Sequence, residues 1–264
     1  MIHKTAIIDE GTVLDSSIEV GPYAVIEQGV VIGAGSTIGA HAVIHRGCQI
    51  GSKVTISPHV VLGGDPQHLG FDRSQVSGVK VEDGATVREY AIIHRATVVG
   101  GFTVVGAGAY VMTCVHIGHD SVIGERAIVA SGAILGGFVT LGAGCFLGGN
   151  AGLHQHVRVG KGSMIGGGAR ITLDVPPFTM VTERNELSGL NLVGLKRAGA
   201  TISEIQELKQ AFRAVCGSIG NFPKRAEAYE ASLESMATSR VSDFLLFFKA
   251  GKRGFSRPGG DAGR

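Results

Sequence analysis

A histidine next to an aspartate is the clearest candidate for chemistry in this sequence. The segment V-H-I-G-H-D carries His116 and His119, and Asp120 follows the second histidine directly. Such a pair is typical of a general base, because the carboxylate fixes the tautomer of the imidazole or favours its charged form. A second polar group, G-L-H-Q-H, supplies His154 and Gln155. The pair of His119 and Asp120 predicts proton abstraction from a hydroxyl group.

Aliphatic residues recur at every sixth position over two thirds of the chain. One series runs from Ile2 to Leu62 and a second from Val81 to Ile171, with Ile, Leu or Val at every step, Val99 included. An α-helix has a period of 3.6 and a strand a period of two, so neither explains this pattern. Three flat sides of six residues, each with one aliphatic side chain inside and glycine at the turns, do explain it. The pattern resembles the hexapeptide-repeat left-handed parallel β-helix, an all-β fold.

Stacked coils of eighteen residues place Gly137 directly above His119. The backbone N–H of a glycine about 5 Å up the wall suits the oxyanion of an acyl transfer. No serine or cysteine nucleophile stands in a recognisable motif, so direct attack by the acceptor is favoured over a covalent intermediate. Two alternatives remain open. Outward polar residues of a β-helix are mostly solvated, and His45 and His94 occupy similar repeat positions.

Zinc chemistry is the second alternative, because gamma-class carbonic anhydrases share the repeat and bind zinc through three histidines. The close pair here is H-x-x-H, which differs from the spacing in that family. The four cysteines, Cys48, Cys114, Cys145 and Cys216, are far apart and are interpreted as small buried residues in a reducing compartment.

Interruptions in the repeat divide the chain into two domains. A glycine-rich segment of the chain between Leu62 and Val81 predicts an excursion loop at about 63–80. The repeat is expected to end near Ile171, because Pro176 and Pro177 oppose its continuation. We therefore expect the β-helix over residues 1–184 and a C-terminal α-helical domain over residues 185–264.

Three helices are predicted in the C-terminal domain. Thr201 and Glu204 form a capping-box pattern, and apolar residues follow it at helical spacing. The second helix is expected at 224–236 and the third at 242–249.

Composition excludes several classes of protein. The chain has 264 residues with 42 glycines, no tryptophan and a net charge of +2, so neither collagen nor a nucleic-acid-binding surface is indicated. A narrow aliphatic interior has little room for tryptophan. No secretory leader and no apolar run of 18 residues is present, so we expect a cytoplasmic protein without membrane insertion.

Longer segments are more specific than the period. These segments are P-Q-H-L (66–69), R-E-Y-A-I-I-H-R-A-T (88–97), H-I-G-H-D (116–120), G-G-N-A-G-L-H-Q (148–155), D-V-P-P-F (174–178), G-L-N-L-V-G-L-K-R-A-G (189–199) and F-F-K-A-G-K-R-G-F (247–255). Through them, and over nearly its whole length, the sequence is similar to the UDP-N-acetylglucosamine O-acyltransferase family of lipid A synthesis. The sibling N-acyltransferases carry an extra N-terminal domain, whereas this chain enters the repeat at Ile2.

The resemblance implies transfer of an (R)-3-hydroxyacyl group from acyl carrier protein to the 3-hydroxyl of UDP-N-acetylglucosamine, without cofactor or metal. It implies His119 as the base, Asp120 as its partner and Gly137 as the oxyanion donor, in a homotrimer with sites at the subunit interfaces. Of the substrate-contacting positions, Arg197 suits a diphosphate, and Gly167 lines the acyl channel, where a small residue admits a longer chain. Those positions are Gln67, His116, His154, Gln155, Gly167, Asn191 and Arg197.

Departures from the family pattern concern the acceptor more than the reaction. They are His68, Gly70, Phe138, Val193 and Ala198. A 3-amino sugar nucleotide therefore remains an alternative acceptor, and a non-catalytic protein that binds nucleotide sugars is a further alternative. Cations near the C-terminus are either a solvated face or a docking site for the acidic carrier protein, and the absence of acids among them favours docking. These cations are Lys249, Lys252, Arg253 and Arg257.

Overall fold

Short parallel strands, most of them two residues long, wind into a three-sided left-handed β-helix. The structure is a computed structural model that describes residues 1–233, 237–251 and 253–259. Each side of the prism stacks its strands into one sheet, and the chain visits the first, second and third sheets in turn. Helices and a short hairpin follow the prism.

The three sheets contain nine, eight and eleven strands in the described residues. The first sheet comprises Ile7–Ile8, Val25–Ile26, Val43–Ile44, Val61–Gly64, Ile92–His94, His116–Ile117, Ile134–Leu135, Gly152–Leu153 and Arg170–Ile171. The second comprises Val13–Leu14, Val31–Ile32, Gln49–Ile50, Gly78–Val81, Phe102–Val105, Val122–Ile123, Thr140–Leu141 and Arg158–Val159. The third comprises Glu19–Val20, Thr37–Ile38, Thr55–Ile56, Thr86–Val87, Tyr110–Val111, Ile128–Val129, Phe146–Leu147, Met164–Ile165, Thr179–Thr182, Glu186–Leu190 and Arg257–Pro258.

The inward aliphatic residues form one continuous core along the prism. Ile117 is fully buried and pairs with Ile93 in the coil below and Leu135 in the coil above. Leu135 lies eighteen positions after Ile117 and Ile93 twenty-four positions before it, so the stacked neighbours are one coil apart, and the interior is a column of Ile, Leu and Val as predicted. The first coil is more open, and Ile2 is exposed.

Glycines that follow the inward residue serve close stacking of the coils. At Gly33 a Cβ would lie 2.7 Å from the backbone carbonyl carbon of Gly51 in the next coil, closer than side chains approach. The left-handed backbone falls two residues later, where Gly35 has φ +67° and Tyr23 has φ +58° in an equivalent turn. The expectation that these glycines supply the sharp turns is therefore corrected, because the separation between coils excludes a side chain there.

The predicted loop leaves the prism between the first and second sheets. The first excursion, residues 65–77, joins the strand Val61–Gly64 to the strand Gly78–Val81. Its conformation is held from one side by a guanidinium group rather than by a core of its own.

Arg95 is that group, and its side chain is only 2% exposed. Its guanidinium donates to Asp65 Oδ1 at 2.8 and 3.0 Å, to the carbonyl of Gln75 at 2.7 Å and to the carbonyl of Arg73 at 2.9 Å. The ring of Phe71 lies 4.8 Å from the guanidinium carbon. A buried cation with this many acceptors fixes the first excursion.

A second excursion, residues 95–101, went undetected by the period. Ile93 is inside, but the next inward residue is Val105, twelve positions later in place of six. Val99, expected inside, is 68% exposed and lies in the excursion. Because the excursion adds six residues, the six-residue period continues in the sequence although the chain has left the prism.

The prism continues slightly beyond the expected end. Val175 bridges to Val159, and the strand Thr179–Thr182 pairs with Met164–Ile165 in the third sheet. The two prolines occupy a turn of the coil and do not terminate it, which corrects the end expected near Ile171. The antiparallel hairpin of Thr179–Thr182 and Glu186–Leu190 follows.

Four helices lie beyond the hairpin in the described residues. They are α1 (Leu192–Arg197), α2 (Ile202–Cys216), α3 (Phe222–Ala231) and α4 (Ser239–Leu246), which continues as a 3₁₀ turn over Phe247–Lys249. The capping box of Thr201 and Glu204 is confirmed at α2. The short α1 was not predicted, α3 and α4 begin earlier than expected, and Met236, the expected end of the second helix, is outside the described residues.

The four cysteines differ in burial. Cys48, Cys145 and Cys216 are buried as expected, whereas Cys114 is exposed, because it occupies a turn with φ +58°. Among the described residues no helix has the length and apolar character required to cross a membrane.

We expect Gly33→Ala to destabilise the protein more than Gly35→Ala, although Gly35 is the residue with the left-handed backbone. The first introduces a methyl group against the backbone of the next coil, which costs about 2–3 kcal/mol. The second only imposes a left-handed backbone on alanine, about 1 kcal/mol, with Lys53 Cγ at 3.7 Å as its nearest contact. Denaturant unfolding of both variants measures the difference, and equal losses would contradict the stacking explanation.

Candidate active site

His119 lies at the turn from the first sheet to the second, directly after the strand His116–Ile117. We call this corner the histidine edge, defined by His119, Gly137 and Gln155, which hold the same turn position in three successive coils. The His119 side chain is 17% exposed, and its Nδ1 lies 2.7 Å from Asp120 Oδ2. One ring nitrogen is therefore engaged, which leaves Nε2 for a substrate.

Asp120 is held more firmly than an exposed turn residue. Its side chain is 7% exposed, and its backbone has φ +59°, which aspartate tolerates better than most residues. The Asp120 N–H donates to the hydroxyl of buried Thr103 at 2.8 Å. This bond fixes the left-handed turn that directs the carboxylate toward His119.

The surroundings keep the Asp120 carboxyl ionised. Burial by itself raises the pKa of Asp120, but hydrogen bonds from Thr97, His119 and Val98 outweigh it, and the pKa lies below its usual value. A carboxylate only accepts hydrogen bonds, so the proton of the His119–Asp120 bond belongs to Nδ1. The lone pair of the neutral imidazole is then on Nε2.

Gly137 faces the imidazole from the coil above. A Cβ at this position would lie 2.6 Å from both Cε1 and Nε2 of His119, so only glycine leaves room for the ring. Gly137 is buried, and its N–H donates to no acceptor among residues 1–233, 237–251 and 253–259. An N–H without a partner is rare in a buried residue, and here it belongs to the residue that lies against the His119 ring.

His116 projects from the face of the first sheet that leads to the histidine edge. Burial, assisted by the charge of His94, lowers the pKa of His116. The two rings lie 5.1 Å apart, and His94 Nδ1 is 2.6 Å from the carbonyl of Asp65. His116 is therefore a neutral polar group three residues before the base, and its ring neighbour His94 contacts the first excursion at Asp65.

His154 and Gln155 lie at the histidine edge two coils above the base, and both are exposed. Between them and His119, Phe138 packs edge-on against the His119 ring at 5.2 Å and stacks on His156 at 4.8 Å. The structure therefore brings His116, His154 and Gln155 to the edge that carries the predicted base.

The C-terminal cations are less uniform than a free docking patch. Lys249 Nζ lies 2.8 Å from Glu230, and Arg253 donates to the carbonyls of Gln155 at 3.0 Å and Thr172 at 2.8 Å. Arg253 therefore ties the tail to the histidine edge. Arg257 is exposed, and Lys252 is outside the described residues.

The remaining predicted site residues fall into two places. Gln67 is exposed in the first excursion, which leaves the prism at the histidine edge. Gly167 lies instead at the turn from the third sheet to the first, and α1, which carries Arg197, follows the third sheet. In a three-sided prism the third sheet is opposite the histidine edge, so one chain does not bring these groups to the base.

Asn191 and Arg197 line a cavity of about 780 Å³ between α1 and the third sheet. The Asn191 side chain caps α1, because its Oδ1 accepts from Gly194 N at 2.9 Å and its Nδ2 donates to the carbonyl of Gly162 at 3.0 Å. Arg197 is exposed at the last turn of the helix. The wall that the third sheet contributes to this cavity is apolar and includes Phe146 and Met164.

Sequence reasoning missed Thr97 and Thr103 as parts of the site. Neither residue belongs to the histidine motifs, and Thr97 lies in the excursion that the period concealed. Its membership of the segment R-E-Y-A-I-I-H-R-A-T was the one available signal. No group of three or more His, Cys, Asp and Glu side chains suited to a metal occurs within the described ranges.

Comparisons with known proteins agree with this architecture. Residues 174–256 match the family profile described as UDP N-acetylglucosamine O-acyltransferase, domain 2. Residues 29–64 and 102–137 match the bacterial transferase hexapeptide profile, and residues 138–172 match the hexapeptide repeat of succinyl-transferase. The profiles thus cover both the prism and the C-terminal helices.

Relatives match over almost the whole chain. An acyl-[acyl-carrier-protein]–UDP-N-acetylglucosamine O-acyltransferase of Anaeromyxobacter dehalogenans is 40% identical over 97% of this chain and 99% of its own length. One of Campylobacter jejuni subsp. doylei is 41% identical over 95% of each chain.

Solved structures show the same relationship. The UDP-N-acetylglucosamine acyltransferase of Francisella novicida superposes with a TM-score of 0.92 at 31% identity, over 97% of this chain and 94% of that one. The corresponding protein of Bacteroides fragilis gives a TM-score of 0.91 at 32% identity, over 97% and 100% of the two chains. The chain belongs to the UDP-N-acetylglucosamine O-acyltransferase family.

Proposed function

We propose that this acyltransferase moves an (R)-3-hydroxyacyl group from acyl carrier protein to the 3-hydroxyl of UDP-N-acetylglucosamine, the first step of lipid A synthesis. The observation that carries the proposal is the His119–Asp120 pair at 2.7 Å with Gly137 against the same ring. The names of the relatives supply the substrates. The chemistry of the pair supplies the reaction.

The reaction begins with a neutral imidazole. Nε2 of His119 removes the proton of the sugar hydroxyl, while the hydroxyl oxygen attacks the thioester carbonyl carbon. Asp120 stabilises the imidazolium that forms, since its carboxylate accepts from Nδ1 at 2.7 Å. The N–H of Gly137 donates to the oxyanion of the tetrahedral intermediate. When that intermediate collapses, the C–S bond breaks and Nε2 returns the proton to the carrier thiol.

The site is completed between subunits of a homotrimer. His119 and the groups beside it lie at one edge of the prism, whereas Arg197 and the cavity of α1 lie against the opposite sheet. A copy that presents its third sheet to the histidine edge of its neighbour joins the two sets. Arg197 then provides a cation for the diphosphate of the nucleotide.

The chemistry requires neither cofactor nor metal, because proton transfer and the oxyanion are both served by groups of the chain. The carrier protein approaches the C-terminal helices, and the enzyme works in the cytoplasm. A 3-amino acceptor is the second candidate, and it is favoured by the changed loop, in which His68 and Gly70 replace an acid and a lysine of the usual pattern.

Replacement of the base tests the central assignment. His119→Ala is expected to lower kcat/KM for UDP-N-acetylglucosamine by about 100-fold to 10,000-fold, since a positioned general base contributes a factor of this size. His45→Ala is a matched control, because His45 also lies at this edge and contacts Glu27 at 2.9 Å. Near-normal turnover of His119→Ala would refute its role as the base.

Mixed trimers test the shared site. His119→Ala and Arg197→Ala enzymes are each expected to be weak at low acceptor concentration, but mixed trimers regain about a quarter of the wild-type rate, because about a quarter of the interfaces join two intact halves. The rate of the co-expressed, purified mixture measures this. No gain over the separate variants would contradict a site between subunits.

Gly167 tests the acyl channel. A Cβ there meets only the backbone of Gly149, with the carbonyl oxygen at 3.4 Å and the nitrogen at 4.0 Å, so Gly167→Met is expected to fold with a melting temperature close to that of the wild type. Its larger side chain is expected to shift preference toward shorter donors by steric exclusion. A series of acyl carrier proteins with ten to sixteen carbons, assayed with the 3-hydroxyl and 3-amino acceptors, measures both preferences. An unchanged donor profile would remove Gly167 from the channel.

A further inference from the structure

The second excursion, residues 95–101, holds the carboxylate that orients the base. Thr97 contributes two donors to Asp120 Oδ2: its hydroxyl at 2.6 Å and its backbone N–H at 2.9 Å. The N–H of Val98 donates to the other oxygen, Oδ1, at 3.3 Å. Three of the four hydrogen bonds to this carboxylate therefore come from a loop that the prism does not need for its own stacking.

Two donors and the imidazole converge on one oxygen atom. Asp120 Oδ2 accepts from Thr97 Oγ1, from Thr97 N and from His119 Nδ1, the last at 2.7 Å. Bonds from two directions fix the rotation of the carboxylate about its Cβ–Cγ bond, so Oδ2 stays in the path of Nδ1. Charge-assisted hydrogen bonds of this length are the stronger kind.

We propose that Thr97 is a positioning residue, whose hydroxyl holds the Asp120 carboxylate in the orientation that keeps His119 in its reactive tautomer. The proposal rests on the proposed function, because it assumes that His119 is the base. Thr97 acts through Asp120 and need not touch the substrate. Its hydroxyl hydrogen must point to Asp120, because an ionised carboxylate has no proton to donate.

The second excursion is itself anchored at its start. Arg95 opens it, and the Arg95 guanidinium is bonded to Asp65 and to the carbonyls of Arg73 and Gln75 in the first excursion. The two loops therefore have a common anchor. Thr97 is held two residues from a buried cation, which makes its hydroxyl a preorganised donor.

Thr97→Val tests the hydroxyl while it keeps the shape of the side chain and the backbone N–H. We expect kcat to fall about 10-fold to 100-fold, the range for loss of a hydrogen bond to a charged group, with KM for the sugar nucleotide little changed. Without this hydrogen bond the Asp120 carboxylate is more basic and stabilises the His119 imidazolium. The acid limb of the pH profile of kcat/KM is therefore expected to move to higher pH by about half a unit to one unit. In the described residues the Thr97 hydroxyl bonds to Asp120 Oδ2 and to no histidine. The other histidines in this part of the prism are His94 and His116, whose rings lie 5.1 Å apart, and His156, which stacks on Phe138.

Two further variants complete the test. Thr97→Ser keeps the hydroxyl and is expected to recover most of kcat and the original acid limb. Thr140→Val makes the same change at an exposed threonine of the second sheet and controls for the substitution itself. Unfolding curves of all variants are recorded beside the kinetics.

Wild-type kcat and pH profile in Thr97→Val would overturn the positioning role, even if His119→Ala remained inactive. Failure of Thr97→Ser to recover kcat would overturn it as well, because the hydroxyl would then not be the responsible group. An active His119→Ala enzyme would instead remove the proposed function on which this role depends. The two failures are therefore distinguishable.

Discussion

Hydrogen bonding between successive coils, at a spacing of about 4.8 Å, determines where every other group of this protein lies. It makes residues one coil apart neighbours, so the inward Ile117 pairs with Leu135, eighteen positions later, and with Ile93, twenty-four positions earlier across the second excursion. It also brings the backbone of each turn so close to the next that a side chain is excluded after many inward residues. The same closeness creates the site, because the stacking of the coils places Gly137 against the ring of His119.

The groups around the base come from two kinds of structure. The prism supplies His119, Gly137 and buried Thr103, whose positions follow from stacking. The excursions supply Thr97 and the contacts of Arg95, whose positions follow from hydrogen bonds to charged groups. A stacked coil is rigid but presents only what its repeat allows, whereas a loop anchored by a buried cation can direct a donor at a chosen atom.

Much of this arrangement could be predicted from the sequence, because stacking is periodic. In an uninterrupted repeat, residues eighteen positions apart occupy the same place in successive coils. The aliphatic column, the left-handed prism by resemblance and the position of Gly137 above His119 were accessible in that way. The second excursion was not, because its six residues keep the count and Val99 satisfies the pattern while it is exposed. Nor did the sequence reveal that Arg197 and His119 lie on opposite sides of one chain. The six-residue period predicts the coils, but it does not predict the sheet against which α1 packs.

The two excursions differ in length, yet the chain rejoins the ladder at the expected partners after each: Val81 pairs with Ile50 below it, and Val105 pairs with Val81. Register is thus restored by the neighbouring coil and is independent of the number of residues spent outside. Two traits of such a protein can therefore change independently: the loops at the corners and the stacked column. Loops at the corners can lengthen, shorten or change composition as acceptors diverge, while the inherited column preserves the alignment of base and glycine through those changes.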